Sequence, residues 1–362
     1  MKILLLGGTG VMGSHLINLL SDRGDKVVVT SRSHRPSKEL VEFRQGNAKD
    51  IDFLRDILRE QWDAIVDFMI YTEAEFEKRI ELLLESTSHY VFLSTARVYN
   101  KSQEAITEES ARLLDSSSDQ DFLATREYSL SKALQEDILR SSNKTNWTIV
   151  RPYITYGEKR LQLGNLEKED WLYRALQGRS IIFSKDINNR LTTLTYGLDV
   201  ATGIASIINN TNAFGETYHI TNEYAHKWSE ILDIYLDVLE KKLGNRPKVI
   251  YQNLSDYLLW NKGKYQILYD RLFDRKFDNT KINRFINTKD FIQVEDGLKK
   301  CIETFLDNPS FFDINWKNEA IKDRYARETT PLKEIGGFKQ KIKYLVFRYL
   351  IITLKNYREG LK

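Results

Sequence analysis

The chain has 362 residues, enough for one large or two moderate domains with an ample core. Hydrophobic residues make up 41% and charged residues 29%, as in an ordinary globular protein, and a net charge of +3 does not call for nucleic acid as a partner. The single cysteine, Cys301, excludes an internal disulfide and any cysteine-rich metal site. The lone cysteine fits a reducing cytosol and no run is long and apolar enough to span a bilayer, so we expect a cytoplasmic protein. The five histidines show no ligand spacing with Cys, Asp or Glu, so we expect no bound metal.

The first predicted elements are a strand, a glycine turn and a helix in direct succession. The apolar run from Ile3 to Leu6 is typical of a strand buried on both faces of a parallel sheet. Gly7, Gly10 and Gly13 follow at intervals of three, and apolar residues with helical spacing come next. In such a unit the first glycine allows a tight turn, the second lets a pyrophosphate approach the backbone, and the third lets the helix pack closely. The stretch predicts a dinucleotide site; a strand-to-helix turn without a ligand is the alternative.

The second predicted strand, residues 26–30, ends in a basic loop. An acidic residue at this point would bind the ribose 2′-hydroxyl of a dinucleotide. Ser31 and Arg32 stand there instead, and a guanidinium grips a phosphate with two parallel hydrogen bonds. The pattern favours NADP over NAD, although a solvated basic loop would look the same.

Three more strands complete the predicted sheet, over residues 41–45, 64–68 and 90–93. Amphipathic helical segments separate them, with Asp50 a candidate N-cap, and this alternation indicates an α/β fold with a doubly wound parallel sheet of the Rossmann type. Ligands of such sheets bind beyond the carboxyl ends of the strands. We therefore expect the glycine turn, Ser31–Arg32, Asn47, Met69–Tyr71 and Ser94–Thr95 along one rim.

A candidate catalytic pair follows the fifth strand. Tyr128 and Lys132 are four residues apart in a predicted helix, so that their side chains lie on one face. A phenol with its ordinary pKa of about 10 is a poor base at neutral pH, but a neighbouring ammonium favours its anion. Tyr128 could then exchange a proton with a sugar hydroxyl or ketone, while Thr95 binds the same oxygen.

Taken together, these motifs resemble one enzyme family. The chain is similar to extended short-chain dehydrogenases/reductases of the NAD-dependent epimerase/dehydratase family, which act on nucleotide sugars. The resemblance extends to about Pro309 and rests on Gly7-Gly8-Thr9-Gly10-Val11-Met12-Gly13, Ser94-Thr95-Ala96-Arg97-Val98-Tyr99, Tyr128-x-x-x-Lys132, Arg151-Pro152-Tyr153, Thr195-Tyr196-Gly197-Leu198-Asp199-Val200-Ala201 and Asp278-Asn279-Thr280-Lys281.

The resemblance implies roles for individual residues. It implies Thr95, Tyr128 and Lys132 as the catalytic set, and Asn47 and Ala48 against the adenine. The residues expected to bind the cofactor, NADP or NAD, are Gly7, Thr9, Gly10, Val11, Met12, Gly13, Ser31, Arg32, Asn47, Ala48, Met69, Lys132 and Tyr153.

Two departures from the family pattern bear on the reaction and the substrate. Dehydratases of the family carry an Asp-Glu pair directly after the catalytic threonine; Ala96 and Arg97 stand there, which disfavours dehydration. The arginine expected to grip the substrate pyrophosphate is replaced by Thr192, and Arg190 lies two residues earlier, on the same face of a strand. We expect Arg97 and Arg190 to bind the substrate.

The remaining residues predict a second lobe and a tail. We expect a dinucleotide-binding domain over 1–157, to which 190–210 return, a smaller α/β substrate lobe over 158–189 and 211–310, and a C-terminal extension over 311–362. Residues 338–362 hold seven Lys or Arg and one acidic residue among apolar side chains, as in a basic amphipathic helix. Such a helix docks on its own fold or on a second subunit, which we favour, or lies on an anionic membrane.

Two functions of different classes fit the sequence. The preferred one is an NAD(P)-dependent nucleotide-sugar epimerase or ketoreductase, acting as a homodimer and without nucleic acid. The alternative is a non-catalytic dinucleotide-binding protein of the same fold that binds RNA or a protein partner. The complete set of Thr95, Tyr128 and Lys132 argues for the enzyme.

Overall fold

The computed structural model describes residues 1–350, which form two compact units. Unit 1 comprises Met1–Gly157, Leu191–Ala225 and Phe273–Gly297. Unit 2 comprises Glu158–Arg190, His226–Leu272 and the described residues from Leu298 onward. The last part of the predicted tail, residues 351–362, lies outside the described residues.

Thirteen strands occur in the described residues, and seven of them form a parallel sheet in unit 1. They are β1 (Lys2–Leu6), β2 (Lys26–Ser31), β3 (Val41–Gln45), β4 (Ala64–Asp67), β5 (Tyr90–Leu93), β6 (Trp147–Pro152), β7 (Ile154–Tyr156), β8 (Ile181–Ser184), β9 (Leu191–Thr192), β10 (Leu194–Tyr196), β11 (Glu216–Ile220), β12 (His226–Lys227) and β13 (Val249–Gln252). The order across the sheet is β11-β6-β5-β4-β1-β2-β3. The chain thus runs outward from β1 to β3 and then crosses back to β4, which opens a crevice between β1 and β4 at the carboxyl ends of the strands.

Helices cover both faces of this sheet and build most of unit 2. They are α1 (Val11–Asp22), α2 (Ile51–Ile57), α3 (Glu73–Glu85), α4 (Leu113–Ser116), α5 (Gln120–Ala124), α6 (Tyr128–Arg140), α7 (Lys168–Leu176), α8 (Lys185–Asn188), α9 (Gly197–Ile207), α10 (Trp228–Leu243), α11 (Leu254–Trp260), α12 (Lys264–Gln266), α13 (Val294–Asp307), α14 (Trp316–Ala326) and α15 (Phe338–Leu345). Asp50 caps α2 as predicted, since its carboxylate accepts hydrogen bonds from the backbone of Asp52 and Phe53.

The core of unit 1 has two layers because successive residues of a strand face opposite sides of the sheet. Ile3 and Leu5 of β1 belong to one apolar cluster, together with residues of α1 and α9. Leu4 belongs to the other, together with residues of α2 and α3. The first strand is therefore buried on both faces, and the predicted doubly wound parallel sheet is confirmed.

Several predicted boundaries differ from the structure. We assigned residues 211–310 to the substrate lobe, but β11 pairs with β6 at the edge of the central sheet, so 211–225 belong to unit 1. Residues 273–297 also belong to unit 1, where the backbone amide of Arg275 donates to the carbonyl of Leu191.

Unit 2 includes the segment that we expected to be a separate C-terminal extension. The guanidinium of Arg174 on α7 is fully buried and pairs with Glu319 and Asp323 of α14 at 2.7 Å each. Because a buried charge without its partner is costly, these pairs fix α14 on α7. None of the helices in residues 1–350 is long and apolar enough to cross a membrane.

Candidate functional site

The glycine turn after β1 leaves space where an anion would bind. Gly7 has φ +71°, a conformation that favours glycine. A Cβ added at Gly13 would lie 2.3 Å from the carbonyl oxygen of Gly8, so this residue lets α1 pack against the turn. A Cβ added at Gly10 would meet no atom of the described residues within 4 Å. The exposed Gly10 therefore adjoins open space at the N-terminus of α1, which suits a pyrophosphate.

The residues predicted to bind the ribose and adenine follow β2 and β3. Ser31 is buried, and its hydroxyl accepts a hydrogen bond from the backbone amide of Ser33 at 3.3 Å, whereas Arg32 is exposed. Asn47 is exposed and Ala48 is buried. Because the guanidinium of Arg32 is exposed, its positive charge is available to a 2′-phosphate beside the buried hydroxyl of Ser31.

A buried polar cluster supports Met69, which lies beside the glycine turn. A Cβ added at Gly7 would lie 2.6 Å from the sulfur of Met69, so that these two residues are in close contact. The backbone amide of Met69 donates to Asp67 at 2.9 Å, and the hydroxyl of Tyr90 donates to the same carboxylate at 2.9 Å. Burial raises the pKa of Asp67, although these hydrogen bonds oppose the rise. Sequence reasoning missed Asp67 and Tyr90, which belong to none of the motifs.

Lys132 lies buried where two central strands end. Its ammonium donates hydrogen bonds to the carbonyls of Leu93 at 2.8 Å and Met69 at 3.2 Å, and it lies over the ring of Phe92. Burial lowers the pKa of Lys132 to about 8, and the charge of Asp67 opposes that decrease. The helix α6 begins at Tyr128, so the predicted four-residue spacing places Tyr128 one turn before this ammonium.

Thr95 and Arg97 lie beside the first turn of α6. Thr95 is buried, and its hydroxyl accepts a hydrogen bond from the backbone amide of Arg97 at 3.3 Å. The guanidinium of Arg97 lies over the ring of Tyr128 at 5.4 Å and pairs with Glu127, the N-cap of α6. Arg97 therefore contacts the predicted catalytic tyrosine, while its predicted contact with substrate stays a prediction.

A second buried network connects the end of β5 with α6 and β6. The hydroxyl of Ser94 donates to Glu136 at 2.6 Å, and two nitrogens of Arg151 donate to the same carboxylate at 2.8 and 2.5 Å. Burial alone would raise the pKa of Glu136, but Arg151 and Ser94 hold it below its usual value. We did not predict Glu136, although its position one turn after Lys132 was a usable signal.

The remaining predicted residues lie in different surroundings. Tyr153 is buried, with its ring 5.3 Å from that of Phe277 in unit 1. Arg190 is exposed in unit 2, where its carbonyl accepts a hydrogen bond from the backbone amide of Trp228 at 3.1 Å. Among the residues described, no three His, Cys, Asp or Glu side chains come together as ligands of a metal ion.

Comparison with known proteins identifies the family of this chain. The model of the NAD dependent epimerase/dehydratase family matches residues 3–221. A chloroplast stem-loop binding protein of 41 kDa from Arabidopsis thaliana is 25% identical over 238 residues, covering 61% of this chain and 59% of that protein. A UDP-glucose 4-epimerase of Streptococcus mutans is 31% identical over 123 residues, covering 27% of this chain and 37% of that enzyme. The chain thus spans less than two thirds of either relative.

Solved structures share the fold across most of the chain. The Bordetella bronchiseptica enzyme WbmH in complex with NAD+ has a TM-score of 0.66 at 16% identity, covering 85% of this chain and 99% of its own. A Bacillus cereus UDP-glucuronic acid 4-epimerase in complex with NAD has a TM-score of 0.62 at 17% identity, covering 84% of this chain and 99% of that enzyme. A Bacillus anthracis dTDP-glucose 4,6-dehydratase in complex with NAD has a TM-score of 0.64 at 18% identity, covering 85% of this chain and 97% of that enzyme.

Proposed function

Since the chain belongs to the NAD-dependent epimerase/dehydratase family, we propose that it is an enzyme that interconverts a secondary hydroxyl and a ketone on a nucleotide sugar. The observation that carries this proposal is the buried ammonium of Lys132, one helical turn from Tyr128 and hydrogen-bonded to the carbonyl of Met69 beside the glycine turn. An ammonium one helical turn from a phenol favours the phenolate, which is the form that accepts a proton.

The residues of unit 1 fit a nicotinamide dinucleotide. The pyrophosphate would lie against Gly10 and the N-terminus of α1, where the structure leaves space, with the ribose beside Ser31 and Arg32 and the adenine against Asn47 and Ala48. A nicotinamide bound there would accept hydride in its oxidised form and donate hydride in its reduced form. The solved relatives contain NAD, whereas Arg32 without an acidic neighbour favours a 2′-phosphate, so we propose that NADP is bound as well as or better than NAD.

The chain itself handles the proton. Tyr128 takes the proton of the sugar hydroxyl as the carbonyl forms and returns it when the carbonyl is reduced. The ammonium of Lys132 stabilises the phenolate that exists before the proton is taken and after it is returned, and with a pKa of about 8 it is mostly protonated at neutral pH. The hydroxyl of Thr95 donates to the same substrate oxygen and thereby fixes its orientation.

The residues after Thr95 argue against dehydration. Elimination of water needs a second acid and base beside the sugar, and Ala96 and Arg97 supply neither. Arg97 is proposed to bind the substrate diphosphate, because a guanidinium group matches phosphate geometry. For Arg190, which is in unit 2, contact with the substrate stays a prediction. We further propose a homodimer, which light scattering of the purified protein would test.

The proposed reaction can be tested directly. The purified protein is incubated with UDP- and dTDP-sugars and either catalytic NAD or stoichiometric NADPH, and the products are separated by chromatography. Epimerisation needs no net cofactor, whereas reduction consumes one NADPH per product. Tyr128→Phe should abolish turnover while dinucleotide binding persists, and Tyr224→Phe, an exposed tyrosine of unit 1, is the matched control. Wild-type rates in Tyr128→Phe would overturn the assignment.

A second function is favoured by one relative. The Arabidopsis thaliana protein is by name a stem-loop binding protein, and it covers more of this chain than the epimerase of Streptococcus mutans does. We therefore propose as the alternative a dinucleotide-binding protein that binds RNA stem-loops. Binding of a labelled stem-loop that is tighter than that of a single strand of equal length, with no turnover of any nucleotide sugar, would favour this alternative.

A further inference from the structure

The C-terminal helix α15 is anchored to unit 2 by one face. Tyr344 on that face is fully buried, its hydroxyl donates to Asp323 at 2.6 Å, and it accepts a hydrogen bond from the backbone amide of Thr330 at 2.8 Å. The chain continues as a wider helical turn over Val346–Leu350, and Arg348 there donates to the carbonyl of Glu328 at 2.9 Å. The position of α15 on its own unit is thus fixed by buried hydrogen bonds.

The opposite face of α15 is apolar and exposed. Phe338 is 77% exposed, Ile342 46%, Leu345 37% and Tyr349 52%. Their spacings of four, three and four residues bring these side chains onto one side of the helix. We call these four residues the tail face. Single exposed apolar residues are common, but a contiguous row of them marks a surface that contacts something apolar.

Within residues 338–350, every charged residue near the tail face is basic. Residues 338–350 contain Lys339, Lys341, Lys343 and Arg348 and no acidic residue. Two copies of α15 packed face to face would therefore bring cations against cations, which disfavours a second copy as the occupant. An anionic lipid surface offers both an apolar layer for the tail face and phosphates for the lysines.

We propose that the protein binds anionic membranes peripherally, with the tail face inserted at the level of the acyl chains and the flanking lysines on the lipid phosphates. This binding does not depend on the proposed reaction, since all of the residues involved are in unit 2. Unit 2 would hold the helix at the surface through Tyr344, and the dinucleotide residues of unit 1 take no part.

The first test is co-sedimentation of the full-length chain with vesicles. We expect binding to vesicles of equimolar phosphatidylcholine and phosphatidylglycerol and little binding to phosphatidylcholine alone. Added salt should weaken the binding because it screens the lysines from the lipid charge. Failure to bind the anionic vesicles at low salt would overturn the proposal.

Two pairs of variants separate the apolar and the charged contributions. Ile342→Glu with Leu345→Glu should lower vesicle affinity more than tenfold, whereas Leu259→Glu, an exposed leucine elsewhere in unit 2, should not. Changing Lys339, Lys341 and Lys343 to Gln should lower the vesicle affinity about fivefold for each lysine removed. The charge-matched control changes three exposed lysines of unit 1 to Gln, namely Lys26, Lys78 and Lys144.

The outcomes against the proposal are equally definite. If the variants and their controls lose the same amount of vesicle affinity, net charge or general hydrophobicity causes the binding, and the tail face does not. If Ile342→Glu with Leu345→Glu turns a dimer into a monomer and the wild type ignores vesicles, the face is an interface between two copies. Thermal unfolding of each variant shows that the fold is intact, as expected for exposed positions.

Discussion

Two glycines of the first turn should respond differently to the same substitution, one by losing stability and the other by losing affinity for the dinucleotide. Alanine at Gly13 would place a methyl group 2.3 Å from the carbonyl oxygen of Gly8, and the neighbouring atoms are backbone, which cannot rotate away. Alanine at Gly10 would meet no described atom within 4 Å. We therefore expect Gly13→Ala to destabilise the fold and Gly10→Ala to weaken dinucleotide binding.

The magnitudes follow from packing. A Gly→Ala change inside a helix normally stabilises by about 1 kcal/mol. Gly13 lies in the first turn of α1, where forcing a methyl group into a filled site costs about 1–3 kcal/mol and displaces backbone. We expect Gly13→Ala to lower the free energy of unfolding by about 1–2 kcal/mol. Gly10→Ala at the N-cap should cost under about 1 kcal/mol, yet its methyl group occupies the space proposed for the pyrophosphate.

Thermal unfolding with and without ligand separates the two effects. NAD at about 100 times its Kd stabilises a protein by about 2.7 kcal/mol, and each tenfold loss of affinity removes about 1.4 kcal/mol of that gain. Gly13→Ala should unfold at lower temperature without ligand, whereas Gly10→Ala should unfold near the wild-type temperature but gain little from NAD or NADP. A full ligand-induced shift in Gly10→Ala would refute the cofactor site.

Three further predictions concern the ion pairs, the pH dependence and the cofactor. Glu136→Ala leaves the buried Arg151 without its carboxylate and should lower the free energy of unfolding by about 3–5 kcal/mol in a urea titration; an unchanged midpoint would contradict the network. Burial raises the pKa of Glu108 from 4.5 to about 7, so between these pH values the folded state binds more protons than the unfolded state. The contribution of Glu108 to stability therefore falls as the pH rises from 4.5 to 7. The variant Glu108→Gln keeps an acceptor for the backbone amide of His219 but cannot titrate. As pH rises from 4.5 to 7, the wild type should therefore lose stability relative to this variant, and parallel stability profiles of the two proteins would contradict the prediction. Arg32→Ala should weaken NADP binding at least tenfold in calorimetry and leave NAD binding unchanged; equal losses would remove the 2′-phosphate role.

Local patterns in the sequence predicted the parts of the fold and site that depend on neighbours along the chain. The glycine turn and the Tyr128–Lys132 spacing are of this kind, because turn geometry and helical periodicity act over a few residues. The structure confirms the Rossmann-type sheet and the helix that contains both Tyr128 and Lys132.

Pairings between distant residues were not predictable in the same way. β11 was assigned to the wrong lobe because its partner β6 lies 68 residues earlier in the chain, and a short strand does not indicate its own neighbour. The support of Met69 by Asp67 likewise depends on burial, which no motif reports. For the tail, composition predicted a basic amphipathic helix, but only the structure shows that Tyr344 docks while the tail face is exposed.

Lys132 has consequences for how this chain and its relatives are interpreted. By holding the carbonyls of Leu93 and Met69, its ammonium joins the ends of β5 and β4 irrespective of any reaction. A relative without catalytic activity would still need this lysine for its architecture. When sequences of this kind are sorted into enzymes and scaffolds, the lysine by itself is therefore not informative, and only its combination with Tyr128 bears on catalysis.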